Sequence, residues 1–166
     1  MKKILLLTFL FFFLCSFSQK PKKVPYNKAH EFDFWLGKWD VYFYGTERFA
    51  GKSHIESIID SSGILENYSA DQINYRGKSL NKYNTEKERW EEYWIDNNGR
   101  TLFMAGELKD GKMVLSDDMT GDAKQGINQI IWEKLPNGNI RQTWNLSKDG
   151  GKTWVIWFDG EYRKSK

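Results

Sequence analysis

From Phe32 onward the chain alternates short runs of aromatic and β-branched residues with tight polar turns. Turn signals recur at Asp60-Ser61-Ser62-Gly63, Asn97-Asn98-Gly99, Lys109-Asp110-Gly111, Pro136-Asn137-Gly138 and Asp149-Gly150-Gly151, which is hairpin chemistry. The runs between them predict ten strands, near 39–46, 49–59, 63–70, 77–84, 88–96, 100–107, 111–117, 126–135, 138–147 and 152–163. Connections this short make successive strands antiparallel neighbours. Ten strands on one short chain either split into two packed sheets or close on themselves. Arg100, Leu102, Met104 and Gly106 share one face, and Thr101, Phe103, Ala105 and Glu107 the other. Elsewhere both faces are large and apolar: Trp154, Ile156 and Phe158 oppose Val155 and Trp157, and Trp132 opposes Ile131. That pattern predicts a filled or lined interior, and hence an all-β fold, a single antiparallel meander barrel of about ten strands. A short helical turn at 31–36 closes one end, and the longest loop spans 117–126.

The N-terminus changes the picture. Lys2 and Lys3 precede a 12-residue apolar region from Ile4 to Cys15, then Ser16-Phe17-Ser18 with small residues at −3 and −1 of a cut before Gln19. The run is too short to span a ~30 Å hydrocarbon core as a helix, so 1–18 reads as a signal peptide and the protein as exported, periplasmic or extracellular. Acylation at Cys15 is the competing reading, weakened by Leu14 where lipoprotein processing prefers a small residue. Residues 19–30 carry two of the three prolines and read as an exposed leader, and 31–166 as one barrel domain.

Without residues 1–18 the 25 Lys and Arg fall to 23 against 22 Asp and Glu, and the single Cys is gone. A near-neutral chain lacks the basic footprint of a nucleic-acid binder. Disulfides and thiol chemistry do not apply, and a structural zinc site is excluded with only two His left.

Gly37-Lys38-Trp39 opens the first strand. The Gly lets the chain bend from the helical turn into the sheet, and the Trp plugs one end with Phe32, Phe34 and Trp35. In this setting the G-x-W resembles the opening of the calycin superfamily, the lipocalins and their relatives. The wider segment Phe32-Asp33-Phe34-Trp35-Leu36-Gly37-Lys38-Trp39-Asp40-Val41 resembles a family of bacterial secreted lipocalin-like proteins of unknown function. Three other stretches fit that family: 79–83, Trp90 through Asp96, and Asp149 through Trp154 before Phe158-Asp159-Gly160-Glu161-Tyr162. The resemblance covers 31–164. It implies a barrel and an export address, places Arg163 over Trp39, and carries no agreed catalytic residues.

Other motifs have plainer readings. Ser147-Lys148-Asp149-Gly150-Gly151-Lys152-Thr153-Trp154 fits the Asp-box pattern of sialidases, but as a single copy it is a turn in which Asp149 satisfies backbone groups and Trp154 anchors the returning strand. Haem-binding relatives make His54 a minority haem-ligand candidate, while His30 reads as surface. Asp117, Asp118 and Asp122 lack calcium-loop spacing and read as a solvated loop. No G-x-S-x-G and no phosphate loop is present.

Pocket residues should be polar or aromatic groups at strand centres. Glu66, Asn81, Tyr83, Trp94, Gln142 and Trp144 are the ligand-binding candidates. Asn81/Tyr83 and Gln142/Trp144 are i, i+2 pairs and share a face, and a buried Glu66 needs a partner from Asn81, Gln142 or Arg141. The expectation is a barrel that binds a small, partly apolar or amphipathic molecule without evident catalytic machinery. An enzyme using Glu66 as general acid or base, and a filled barrel that docks a protein or forms a homodimer through its outer aromatics, are the alternatives.

Overall fold

A computed structural model of the chain describes residues 26–118 and 126–166. The signal-peptide reading, most of the leader and most of the 117–126 loop lie outside the described residues. A helical turn α1 (Tyr26–Ala29) and a 3-10 turn (Asp33–Trp35) lead into ten strands: β1 (Gly37–Phe43), β2 (Phe49–Ile58), β3 (Gly63–Ala70), β4 (Tyr75–Asn84), β5 (Arg89–Asp96), β6 (Thr101–Lys109), β7 (Lys112–Ser116), β8 (Ile127–Lys134), β9 (Ile140–Ser147) and β10 (Val155–Lys164). Each strand pairs antiparallel with its sequence neighbours, and β1 pairs with β10 to close the barrel. Each of the ten expected strands has its counterpart within a few residues.

Period-2 alternation sets the two faces. On β4, Gly77, Ser79, Asn81 and Tyr83 are buried between exposed Arg76, Lys78, Leu80 and Lys82. Those outward lysines are unlike the apolar band of a membrane barrel. No helix among the described residues is long and apolar enough to cross a membrane.

One end of the barrel is plugged by aromatic rings. Phe32 stacks on Trp35 with centroids 4.9 Å apart and meets Trp90 and Trp132 edge-on at 5.7 and 5.1 Å. All four rings are essentially inaccessible, and each contributes about 2–3 kcal/mol of burial. Trp39 Nε1 donates to the Trp35 carbonyl at 2.8 Å, tying β1 to the turn that precedes it. Gly37 adopts φ +133° at this corner, a conformation that L side chains rarely take.

The structure corrects four details. Arg163 does not cover Trp39: the register pairs Trp39 with Lys164, whose Nζ lies 3.7 Å from the indole centroid. Arg163, one residue earlier and therefore outward, lies over Tyr42 and pairs with Glu47 and Glu161. Residues 28–30, at the end of the leader, are half-buried rather than exposed, and Lys28 and His30 pair with Glu31 and Asp33. Asp117 is buried rather than solvated, accepting from the Asn128 backbone N–H at 2.8 Å and Nδ2 at 2.7 Å; Asp122 lies outside the described residues. Finally, a register shift between Ile156 and Phe158 interrupts the alternation on β10.

Candidate functional site

Above the plug the barrel is hollow. A cavity of about 840 Å³ reaches from Glu66 and Glu92 to a mouth framed by Ile73, the β5–β6 turn at Asn98 and Gly99, and Trp157. Its walls are aromatic: Tyr68 of β3, Tyr75 of β4, Trp94 of β5, Trp144 of β9 and Phe158 of β10. Two local devices shape them. Gly77 has no side chain because the Trp94 ring lies on it; a Cβ there would meet Trp94 Cζ2 at 2.1 Å. The β10 shift brings both Trp157 and Phe158 to the cavity, and Trp157 packs against Trp144 with centroids 6.4 Å apart.

The floor carries two acids. On β5 the inward set is Trp90, Glu92, Trp94 and Asp96, so Glu92 stands one pleat above the plug. Cross-strand pairs Glu66–Ser79 and Ser79–Trp94 form one row, and Ile64–Asn81 and Asn81–Glu92 the next. Glu66 and Glu92 are thus diagonal neighbours across β4, each 2% exposed. Ser53 Oγ donates to Glu66 Oε1 at 2.6 Å and Ser79 Oγ to Oε2 at 3.4 Å. Burial pushes the Glu66 carboxyl up to about 7, against the opposing pull of the Ser53, Ser79 and Tyr162 hydroxyls. Burial, then the charge of Glu66, raises Glu92 well above the ordinary carboxylate range. Glu92 Oε2 has no hydrogen-bond partner among the described residues, nor does Asn81 Oδ1, whose Nδ2 donates to Ser79 at 2.8 Å.

The mouth is more polar. Burial alone would raise Asp96, but the Arg100 backbone N–H, the Tyr75 hydroxyl and the Trp94 indole outweigh it and hold the carboxyl below its usual range. Arg100 lies 4.9 Å from the Trp144 ring centroid.

Of the residues singled out in the sequence, Glu66, Trp94, Gln142 and Trp144 line this one cavity. Gln142 Oε1 accepts from the Tyr162 hydroxyl at 2.5 Å, and Trp144 Nε1 donates to Asn128 Oδ1 at 2.8 Å. Asn81 is buried on the inward face of β4, one pleat nearer the plug than Ser79, and does not line the cavity, and Tyr83 packs against Trp90 toward the plug. Arg141 does not reach Glu66; it pairs on the outside with Asp159 at 2.7 Å. His54 lies between buried Ser53 and Ile55, so it faces outward, beside Glu56. Among the described residues no group of three His, Cys, Asp or Glu could hold a metal ion. Sequence reasoning missed Glu92, Ser53, Ser79 and Tyr162. Glu92 was within reach, because it shares the inward face of β5 with Trp90 and Trp94.

The Asp-box segment is a turn. Asp149 Oδ1 accepts from the Lys152 and Thr153 backbone N–H groups at 3.1 and 2.9 Å, and Thr153 Oγ1 donates to Oδ2 at 2.7 Å. Those donors hold the Asp149 carboxyl down at about 2. Trp154 stays largely exposed and folds back on the turn, its Nε1 donating to the Gly151 carbonyl at 3.1 Å, so it caps the hairpin rather than anchoring the sheet.

An aromatic-walled cup with two desolvated carboxyls at its base is what the geometry offers; no family model matches the chain, and no curated protein matches it.

Proposed function

We propose that this protein is an exported carrier or sensor that holds a small, partly apolar molecule in the barrel cavity. The observation that carries the reading is the cavity of about 840 Å³, a size ordinary for small-molecule sites, walled by aromatic rings and ending on a few convergent polar groups. Trp94 and Trp144 supply contact area, and Glu66, with Gln142 nearby, orients polar atoms. Asn81 and Tyr83 support the wall from the plug side. The resemblance of the 32–41 segment to secreted lipocalin-like proteins and the signal-like N-terminus support the export half of the reading. Native mass spectrometry of the protein purified from its host without added ligand tests the whole. A reproducible adduct on a chain beginning at Gln19 supports it. A chain that retains Met1 removes the export assignment, and a bare mass with no tryptophan response to any small molecule removes the carrier assignment.

An enzymatic reading has one specific observation behind it: a cavity carboxyl whose proton affinity is centred near neutrality, at about 7, suits a general acid or base. Glu66→Gln separates the two readings. A carrier still binds in the aromatic cavity with at most the loss of one polar contact, whereas an enzyme loses turnover while binding persists.

A further inference from the structure

We propose that the ligand presents a protonated amine to the Glu66–Glu92 floor while its apolar body lies between Trp94, Trp144 and Trp157. The inference rests on the carrier reading and specifies what is carried.

Three observations converge on it. First, the floor is an array of acceptors short of donors. Among the described residues Glu92 Oε2 has no partner, and the only groups bonded to Glu66 are the hydroxyls of Ser53, Ser79 and Tyr162. Unpaired buried oxygens are costly, and an ammonium brings two or three N–H donors to one point. Second, the cavity is acidic where it is deep. Its floor is lined by Glu66 and Glu92, while the one cation among the lining residues, Arg100, stands at the mouth beside Asp96 and against Trp144. Once Glu66 is ionised, a carboxylate or phosphate ligand would meet like charge at the floor. Two diagonal carboxyls also repel each other when both ionise, and a bound cation removes that repulsion. Third, the walls present indole and phenol faces, which attract cations in a desolvated site.

The titratable groups lining the cavity around Glu92 are Glu66 and Tyr68 on β3, Tyr75 on β4, Asp96 on β5 itself, Arg100 in the β5–β6 turn and Tyr162 on β10. Burial raises the three tyrosines, and Asp96 is held below its usual range. Glu66, pushed up to about 7, is therefore the floor group whose charge changes between about pH 5 and pH 8.

The test uses the full chain and three probes of one shape: phenylbutylamine, phenylbutanol and phenylbutanoate, titrated by tryptophan fluorescence and calorimetry. The amine should bind at least about tenfold tighter than the alcohol at pH 8, the scale of hydrogen bonds to a charged group. Phenylbutanoate should bind weakest. The amine's advantage should shrink as the pH falls toward about 5, because protonating Glu66 removes the charge it pairs with. Glu66→Gln should bring amine and alcohol together to within about threefold at pH 8, and Glu92→Gln, which removes the unpaired acceptor, serves if that variant does not fold. The parent's own pH dependence needs no variant at all. Alcohol binding as tightly as amine, or phenylbutanoate binding best, overturns the amine assignment while leaving the carrier reading in place. No binding by any of the three overturns both.

Discussion

Replacing Glu66 by Gln should make the protein more stable in alkali and no more stable in acid. The carboxyl is fully buried, and its proton affinity rises from 4.5 to about 7 on folding. A raised carboxyl binds its proton more tightly in the folded state. The associated stability is therefore complete below the unfolded value and is lost as the pH climbs from about 4.5 through about 7. At about 1.4 kcal/mol for each unit, ionised Glu66 costs the fold about 3 kcal/mol above neutrality. Gln removes that cost but accepts less strongly from Ser53 and Ser79 and brings an amide in need of acceptors, a loss of about 1 kcal/mol. The net expectation is a gain of about 2 kcal/mol at pH 9 and a loss of about 1 kcal/mol at pH 4. Through the entropy of unfolding, the gain corresponds to a Tm about 4–8 °C above the parent at pH 9. Loss of the Glu66 charge also eases ionisation of Glu92, which acts in the same direction. Thermal and urea unfolding of both proteins from pH 4 to pH 9 supplies the measurement. A stability difference that does not change with pH, or one in which the variant loses ground as the pH rises, would refute the account of the floor.

Trp35→Ala should cost about 3–5 kcal/mol in urea unfolding, because the ring is buried against Phe32, Trp132 and Tyr162 and its loss leaves a void; a cost under ~1 kcal/mol would mean the plug is not part of the core. Trp94→Ala should leave the far-UV spectrum unchanged while weakening the aromatic probes about tenfold, and unaltered affinity would move the binding site elsewhere. Lys164→Met should weaken the fold more than Arg163→Met, by about 1 kcal/mol, because Lys164 covers Trp39 and donates to the Leu36 carbonyl; equal effects would contradict the register. Asp149→Asn should lower the Tm at neutral pH, with the difference fading as the pH falls through about 2, where the parent's carboxyl protonates; a difference that survives full protonation would assign the effect to something other than the carboxylate.

The architecture was legible in the sequence because turn residues punctuate it. The Asn-Gly and Asp-Gly corners bound the strands to within a few residues, and the Phe32–Trp39 cluster marks the plugged end. The site was half legible. Glu66, Trp94, Gln142 and Trp144 stand at strand centres and reach the cavity, but which of two neighbouring positions faces inward depends on register. A single step moves the group above Trp39 from Arg163 to Lys164. Local pattern also misses an extra residue in a strand, and the β10 shift turns Trp157 toward the mouth where strict alternation would not. Asn81 and Tyr83 share a face with the cavity wall yet stand too near the plug to touch its space.

The seam between β1 and β10 has a consequence for how the molecule is made. The two partners are more than a hundred residues apart, so the ring cannot shut until β10 has left the ribosome and, for an exported chain, crossed the membrane. Until then the growing sheet has two bare edges, which can pair with any other strand they meet. Such distant pairing slows folding, so that vulnerable interval is long. A chain cut short at the bulge on β10 would remain in that state indefinitely, open on both sides and prone to joining copies of itself.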